Sequence, residues 1–186
     1  MMLRLLINLL LFALPIFVVS ASGQNKYWRD ADGEFVVHVG DDMPSWSCVT
    51  LSGDTLDSDF FYGRVSVIEF MASWCPFGKG QMRALEDLVW RKERYRGINI
   101  ICFSEDFATD TLAFREMTEE WGIGYAVSWD DDGDVFRKFA TRDATVTRLI
   151  VVDSDGKIVK MYDEFSRKTF RDTRRTIKRL LKNRAR

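Results

Sequence analysis

Strand-like apolar runs alternate with amphipathic helical stretches through the middle of this chain. The run Val65–Met71 is followed, after Pro76, by helical periodicity to about Arg94, and the next apolar run is Ile98–Phe103. A strand that reaches the next strand through a helix forms a crossover unit, and such units build a sheet with helices packed on its faces. The alternation therefore predicts an α/β fold.

The flanking segments complete the predicted sheet. The sequence predicts a helix at Thr111–Trp121, a strand at Tyr125–Trp129 and a short helix at Val135–Ala140. A strand hairpin at Leu149–Met161 follows, and a closing helix has its apolar face at Phe170, Ile177 and Leu181. Near the N-terminus, Phe35–Val39 and Ser47–Leu51 are predicted to be short strands that pair with each other. The whole is therefore expected to form a mixed central sheet with helices on both faces and an N-terminal strand extension.

The length of the chain limits it to one ordinary globular domain. Its 186 residues are 46% hydrophobic and include only 3 prolines, so a natively disordered chain is excluded. Because 27 basic residues nearly balance 28 acidic ones, the net charge of −1 gives no overall electrostatic reason for nucleic-acid binding. We expect one domain over residues 35–186, preceded by an extension at 22–34.

Residues 1–21 have the pattern of an export signal. An apolar stretch, Leu5–Val19, follows Arg4 and leads into the small residues Ser20 and Ala21. Because this stretch is shorter than about 20 residues, cleavage is favoured over a permanent membrane anchor, which stays the minor alternative. The mature chain is therefore predicted to be exported to the periplasm or cell envelope, where disulfides can form.

A cysteine–proline junction follows the strongest predicted strand. The stretch Phe70-Met71-Ala72-Ser73-Trp74-Cys75-Pro76 is accompanied by Val39-Gly40-Asp41 before it and by Asp153-Ser154-Asp155-Gly156 near the end. This set resembles the thioredoxin fold and, within it, the exported thiol-redox proteins of the TlpA/ResA and AhpC/TSA-like group. The resemblance runs from about Val39 to Leu181. It implies a thioredoxin-like domain over residues 35–186 that reacts through Cys75.

Cys75 is predicted to be a nucleophile because of where the junction places it. The preceding strand would deliver it to the edge of the sheet, and Pro76 suits the first position of a helix because it has no amide hydrogen to leave unsatisfied. The sulfur would then face free amides at the positive end of the helix, which favours the thiolate and lowers the thiol pKa. Trp74, Pro76, Phe77 and Gly78 are the expected substrate-binding neighbours. A buried, inert cysteine is the alternative.

Two positions depart from the family pattern. Gly78 stands where the family's second redox cysteine would fall, so an intramolecular C-x-x-C cycle is impossible. Thr147 stands where the family places a cis proline facing the reactive cysteine, and its peptide bond is expected to be trans because a non-proline cis bond costs about 3–4 kcal/mol. Arg148 is either a side chain that holds a thiolate or a peroxide at Cys75, or an arginine that faces solvent.

Glu69 is the second candidate catalytic residue. It shares one face of a strand with Val65, Val67 and Met71, so apolar neighbours should raise its pKa and suit it to proton transfer. In the thioredoxins that this sequence resembles, an acid at this distance before the cysteine transfers protons, mainly for the second cysteine, which is absent here. The alternative is an ion pair between Glu69 and a nearby Lys or Arg.

The remaining cysteines and the histidine offer little further chemistry. Cys48 and Cys102 are expected to be buried free thiols, although either could resolve an oxidised Cys75 if the two Cα atoms lay within about 7 Å. With His38 as the only histidine, no metal site is predicted, and Asp130–Asp134 is interpreted as a turn and not as a calcium loop. No cofactor is expected.

The end of the chain is strongly basic. Between Ser166 and Arg186 there are ten Lys or Arg residues and one acid, Asp172. A basic helix and tail at 173–186 could contact an anionic membrane or an acidic protein weakly, because each basic residue contributes about 1 kcal/mol near a charged membrane. A solvated helix face is the alternative that the sequence favours.

The sequence therefore predicts an exported thiol redox protein that acts through a single cysteine, by monothiol disulfide exchange or by peroxide reduction. Its partners would be protein or small-molecule disulfides and thiols, with an external thiol as reductant and no nucleic acid. A one-cysteine peroxidase is disfavoured, because Ala72 stands where that class has a threonine. The alternative from another class is a catalytically degenerate thioredoxin-fold module that only binds a partner.

Overall fold

A computed structural model describes residues 34–184 of the chain. The predicted signal peptide at 1–21, the extension up to residue 33 and the last two residues lie outside the described residues. The strands, in chain order, are β1 (Ser47–Val49), β2 (Thr55–Asp57), β3 (Val65–Met71), β4 (Ile98–Ser104), β5 (Ala126–Trp129), β6 (Arg148–Val152) and β7 (Ile158–Tyr162).

The central sheet is mixed, as predicted. Its five strands follow the order β5–β4–β3–β6–β7, and β1 and β2 form a separate antiparallel pair. Strands β3, β4 and β5 are parallel, whereas β6 runs antiparallel to both of its neighbours. The two crossover units and the closing hairpin therefore have the arrangement that the strand and helix pattern indicates.

The α-helices are α1 (Pro76–Leu85), α2 (Arg91–Glu93), α3 (Thr111–Glu120) and α4 (Arg167–Arg184). A π-helical stretch at Glu86–Trp90 joins α1 to α2, so the helical region predicted from Pro76 is continuous. Met82 and Leu85 are fully buried at helical spacing, which confirms the apolar face predicted for α1.

Side chains of the sheet alternate between two apolar cores. On one face, Met71 of β3 belongs to a core with the apolar sides of α1, α3 and α4. On the other face, Phe70 stacks with Phe103 of β4, with ring centroids 5.5 Å apart. Short 3₁₀ turns at Ser58–Phe61 and Phe136–Lys138 cover this second face together with residues 34–43, called the N-terminal segment below. Helical structure therefore lies on both faces.

The predicted pairing of two N-terminal strands is wrong. Within the described residues, Phe35–Val39 forms no strand, and Phe35 makes a single antiparallel bridge to Ala140. Phe35 and Val37 instead bury their side chains in the second core. Strand β1 pairs with β2 because the turn at Gly53, which has a φ of +92°, reverses the chain between them.

The C-terminal helix has the predicted apolar face. Phe170, Ile177 and Leu181 are buried against the sheet, while most of the basic side chains of α4 are exposed. The helix begins at Arg167, earlier than the predicted basic segment at 173–186. Among the residues described, no helix has both the length and the apolar character that a membrane crossing demands.

Candidate active site

Cys75 lies where β3 ends and α1 begins. Its amide donates to the carbonyl of Ala72 (2.9 Å), which turns the chain after the strand, and Cys75 itself is the N-cap of α1. Pro76 takes the first helical position, as the sequence predicts, because its missing N–H costs no hydrogen bond there. The thiol is half-buried at the N-terminal end of α1, and its sulfur makes none of the hydrogen bonds to the helix amides that the sequence predicts.

Thr147 lies opposite this cysteine. Its hydroxyl oxygen is 3.3 Å from Sγ of Cys75, a hydrogen-bond distance for sulfur. The contact follows from the sheet, because β6 runs antiparallel to β3 with Arg148 paired in register with Phe70. The peptide bonds of residues 34–184 are all trans, so the trans bond predicted at Thr147 is confirmed. The hydroxyl is placed to donate to a thiolate at Cys75.

The guanidinium of Arg148 is fully buried and bound elsewhere. It forms an ion pair with Glu34 and lies over the ring of Phe35, both in the N-terminal segment. It also donates hydrogen bonds to neighbouring loops, namely to the Thr145 hydroxyl (2.8 Å) and to the carbonyls of Thr147 (3.2 Å) and Asp163 (3.3 Å). Both sequence interpretations of Arg148 are therefore wrong, because it neither faces solvent nor has a free charge to hold a thiolate or peroxide at Cys75. It fastens the loop that carries Thr147 to the N-terminal segment.

Glu69 is fully buried in β3, among the apolar neighbours that the sequence predicts. Burial raises its pKa to about 8, and a hydrogen bond from the Tyr125 hydroxyl (3.0 Å) offsets this only in part. Within residues 34–184 the alternative of an ion pair is not observed, and the partner of Glu69 is this tyrosine of the β4–β5 connection. Cys102 of β4 lies beside Glu69 in register.

The raised pKa of Glu69 predicts a pH dependence of stability. An acid that holds its proton more tightly when folded destabilises the protein as it ionises, so the free energy of unfolding should fall from about pH 4.5 to about pH 8. Glu69→Gln should remove a few kcal/mol of this fall, at about 1.4 kcal/mol per pKa unit. Part of the pH dependence should remain in Glu69→Gln because Glu105 contributes to it as well. Burial, together with the nearby Asp130, raises the pKa of Glu105 to about 9.

Urea titrations at several pH values measure this slope. The matched control is Glu119→Gln, which removes an exposed carboxylate on α3 and should leave the slope as in the wild type. If Glu69→Gln retained the full slope, the assignment of Glu69 as a protonated core acid would be wrong.

Asp106 holds the loop that precedes Cys75, and the sequence did not single it out. Its carboxylate accepts hydrogen bonds from the amide of Ser73 (2.9 Å) and from the hydroxyls of Ser73 (2.7 Å) and Ser104 (2.5 Å). Asp106 comes just after β4, which is parallel to β3, so the sheet brings it next to the end of β3. A carboxylate directly after the neighbouring parallel strand is the signal that could have identified it.

Gly78 allows α1 to lie close to β3. A Cβ atom at position 78 would lie 2.8 Å from Cβ of Met71, closer than side-chain carbons normally approach. The structure therefore has no space for a cysteine at the family's second position unless α1 moves. The sequence identifies Gly78 as a missing thiol, and the structure adds that the missing side chain is part of the packing.

Cys75 opens into a cleft of about 970 Å³. Besides Cys75, three predicted site residues line this cleft, namely Trp74, Phe77 and Thr147, and the exposed side chain of Phe107 adds a further aromatic group. The wall that the described residues form does not include the other four candidates, Glu69, Pro76, Gly78 and Arg148. The structure therefore brings together the cysteine, its threonine partner and the aromatic neighbours.

Cys48 and Cys102 are not in the cleft wall, as far as residues 34–184 define it. Cys102 is fully buried, as predicted, and its pKa is raised well above the ordinary value by burial and by Glu69. Cys48 is half-buried, and burial raises its pKa as well. All three cysteines are free thiols. A thiol with a raised pKa is a weak nucleophile near neutral pH, so Cys48 and Cys102 are poor candidates, and of the three cysteines Cys75 is the one that lines the cleft.

The acidic stretch Asp130–Asp134 forms the predicted turn. The amide of Gly133 donates to the carbonyl of Asp130 (3.0 Å), and the Asp130 carboxylate accepts from the amides of Val135 (3.0 Å) and Phe136 (2.8 Å). Within the part of the chain that the structure describes, no group of three His, Cys, Asp or Glu side chains is placed to hold a metal ion.

The sequence profile of the AhpC/TSA family matches residues 39–161, more than half of the chain. No protein with a curated description matches the sequence significantly.

Solved structures share the fold. A proposed protein disulfide isomerase from Bacteroides thetaiotaomicron is 28% identical, with a TM-score of 0.74 over 80% of this chain and 93% of that one. A proposed thiol:disulfide interchange protein DsbE from Chlorobium tepidum is 16% identical, with a TM-score of 0.68 over 78% and 99% of the two chains. A secreted Mycobacterium tuberculosis disulfide oxidoreductase is 17% identical, with a TM-score of 0.58 over 69% and 92%. These similarities establish the thioredoxin fold.

Proposed function

Because the chain belongs to the AhpC/TSA family and has the thioredoxin fold, we propose that it exchanges thiols and disulfides through Cys75 alone. The observation that carries the proposal is the Cys75 thiol, which belongs to the N-cap residue of α1, lies 3.3 Å from the Thr147 hydroxyl oxygen and opens into the cleft. The similar structures described as a disulfide isomerase and an interchange protein support the same reaction class.

In the first step, the Cys75 thiolate attacks one sulfur of a substrate disulfide. The new sulfur–sulfur bond to Cys75 forms as the substrate bond breaks, and the electron pair leaves with the other substrate sulfur as a thiolate. The Thr147 hydroxyl, whose oxygen lies 3.3 Å from Sγ, is placed to donate a hydrogen bond to the thiolate from which the attack starts. Asp106 keeps the loop before Cys75 in the position that exposes the sulfur.

In the second step, an external thiolate attacks the substrate sulfur of this mixed disulfide. A new disulfide forms between the external thiol and the substrate, and Cys75 leaves as a thiolate. In sum, the substrate sulfur exchanges its first thiol partner for the external thiol, and the protein is neither oxidised nor reduced. Since Gly78 offers no second thiol, release waits for another molecule.

Two other functions are less well supported. Peroxide reduction through Cys75 loses its support from the sequence, because the Arg148 guanidinium is paired with Glu34 and is not free to hold a peroxide. A module that binds partners without catalysis is favoured by one observation, the close packing of Gly78 against Met71, which leaves no space for a second cysteine. The binding module therefore stays the second candidate.

Export to the periplasm or cell envelope is part of the proposal. It rests on the signal-like residues 1–21, followed by the extension at 22–34 and the thioredoxin-like domain at 35–186. A disulfide oxidoreductase of the same fold is described as secreted. The partners we propose are protein or small-molecule disulfides with an external thiol, and the exposed basic face of α4 is a candidate for weak contact with anionic lipid or an acidic protein.

The lifetime of the mixed disulfide tests the proposal. With 2,2′-dithiodipyridine, the wild-type protein should release a single equivalent of thiopyridone and stop, because no internal thiol displaces the second. Adding a small thiol should release the rest. Spontaneous release that is lost in Cys48→Ser or Cys102→Ser would identify an internal resolving cysteine. Failure of Cys75 to react would favour the binding module.

A further inference from the structure

Resting on the thiol–disulfide exchange proposed above, we propose that the cleft beside Cys75 selects a cationic polypeptide segment, in which Lys or Arg residues flank the reacting cysteine. The charges and the aromatic groups of the cleft wall both lead to this substrate class.

Four exposed or half-buried carboxylates face the cleft from two separate loops. Asp131 and Asp132 follow β5, and Asp163 and Glu164 follow β7. Among the ion pairs of residues 34–184, none includes any of these four carboxylates. No ion pair of the described residues therefore neutralises this charge, although Asp163 also acts on the buried Arg148 guanidinium, and the charge comes from two sides of the wall.

Basic side chains compensate little of this charge. Arg137 and Arg142 are the basic residues in the wall, and Arg137 is already paired with Asp134, which lies outside the wall. The buried carboxylates of Asp106 and Asp130 also belong to the wall, and their hydrogen bonds come from neutral amides and hydroxyls. A low-dielectric cleft lined mainly by one sign of charge concentrates ligands of the opposite sign.

The exposed aromatic side chains favour the same ligand. Trp74, Phe77 and Phe107 line the cleft with exposures of 58%, 64% and 70%, although large apolar side chains are usually buried. The face of an aromatic ring attracts the ammonium of Lys and the guanidinium of Arg. Because Trp74 and Phe77 flank Cys75 in the sequence, a cation bound to them lies next to the reacting sulfur.

The dimensions of the cleft indicate a polypeptide. A space of about 970 Å³ exceeds what a single disulfide and its two methylene groups occupy. The carboxylates lie on loops after different strands, so flanking residues on both sides of a substrate cysteine can each meet one pair. Small anionic disulfides are expected to be repelled by the same charges.

The test uses three single-cysteine peptides activated as 2-thiopyridyl disulfides, with the cysteine flanked by Lys and Arg, by Glu, or by Ser. The rate of thiopyridone release by the full protein is divided by the rate with 2-mercaptoethanol, which corrects for the peptide's own reactivity. At about 0.01 M salt, where the Debye length is about 30 Å, the cationic peptide should react about tenfold or more faster than the anionic one. At about 1 M salt the difference should largely disappear.

Two variants with equal loss of charge locate the effect. The cleft variant combines Asp131→Asn, Asp132→Asn and Glu164→Gln and should lose most of the preference. The control combines Glu116→Gln, Glu119→Gln and Glu120→Gln on the exposed side of α3, outside the wall, and should keep it.

The remaining outcomes overturn one proposal or the other. Equal normalised rates for all three peptides, or an equal loss of preference in both variants, would refute selection by the cleft while leaving the exchange reaction intact. A Ser-flanked peptide that matches the cationic one would assign the aromatic groups to apolar contacts and refute selection by charge. If none of the peptides reacted at Cys75, the exchange reaction itself would be refuted.

Discussion

Replacing Cys75 with serine is expected to abolish the formation of disulfide-linked adducts. Cys75 is the thiol that opens into the cleft, whereas burial raises the pKa of both Cys48 and Cys102 and suppresses their thiolates. Non-reducing gels of protein exposed to oxidised thiols should show adducts in the wild type and none in Cys75→Ser. This is the largest effect on activity that the structure predicts.

The other two cysteines provide the controls for this experiment. Adducts should persist in Cys48→Ser, which changes a half-buried side chain on β1, and in Cys102→Ala, which keeps an apolar group in the core. Adducts that survive Cys75→Ser, and that disappear only when Cys48 is also replaced, would show that the reactive thiol is misassigned.

Removing the Arg148 side chain is expected to cause the largest loss of stability. Arg148→Met leaves the Glu34 carboxylate and two backbone carbonyls without their buried donor, and breaking such a pair costs about 3–5 kcal/mol. The loop that carries Thr147 would also lose its anchor, so we expect the rate of Cys75 alkylation to change as well. Urea unfolding and iodoacetamide kinetics measure the two effects.

The control for this variant is Arg179→Met, which removes an exposed arginine from α4 and should change the free energy of unfolding by less than about 0.5 kcal/mol. A double variant, Arg148→Met with Glu34→Leu, should recover part of the loss, because it removes the unpaired charge as well. A loss below about 1 kcal/mol in the single variant would contradict the role of Arg148 as the anchor of this loop.

The sequence predicts the central sheet well because its strands are long apolar runs. β3 and β4 are buried along their whole length, and the helix that joins them has a clear apolar face. Phe35–Val39 instead has only two buried side chains, those of Phe35 and Val37, and it has no neighbouring strand to pair with among the described residues. Alternation over five residues cannot distinguish a strand from an extended segment that packs against a helical turn.

Arg148 is misassigned for a reason that strand geometry explains. Thr147 faces Cys75, and consecutive residues at a strand point to opposite faces, so the next side chain turns toward the other core. Strand periodicity could have excluded Arg148 from the site. Its partner Glu34 could not have been predicted, since 114 positions separate the two residues in the sequence.

For Glu69 too, the sequence predicts the burial of the residue but not its hydrogen-bond partner. The period of two along β3 predicts that Glu69 lies among apolar side chains, and the pKa of about 8 agrees with that. The hydroxyl of Tyr125 reaches it only because β5 is placed beside β4 by the sheet order. Local patterns therefore predict burial, whereas partners depend on which strands become neighbours.

A disulfide map of the oxidised protein tests most directly whether Cys75 acts without an internal partner. The protein is incubated with a thiol and its disulfide, trapped with acid, digested without reductant and analysed by mass spectrometry. We predict that Cys75 carries the external thiol while Cys48 and Cys102 stay free. A peptide that links Cys75 to Cys48 or to Cys102 would contradict the single-cysteine reaction.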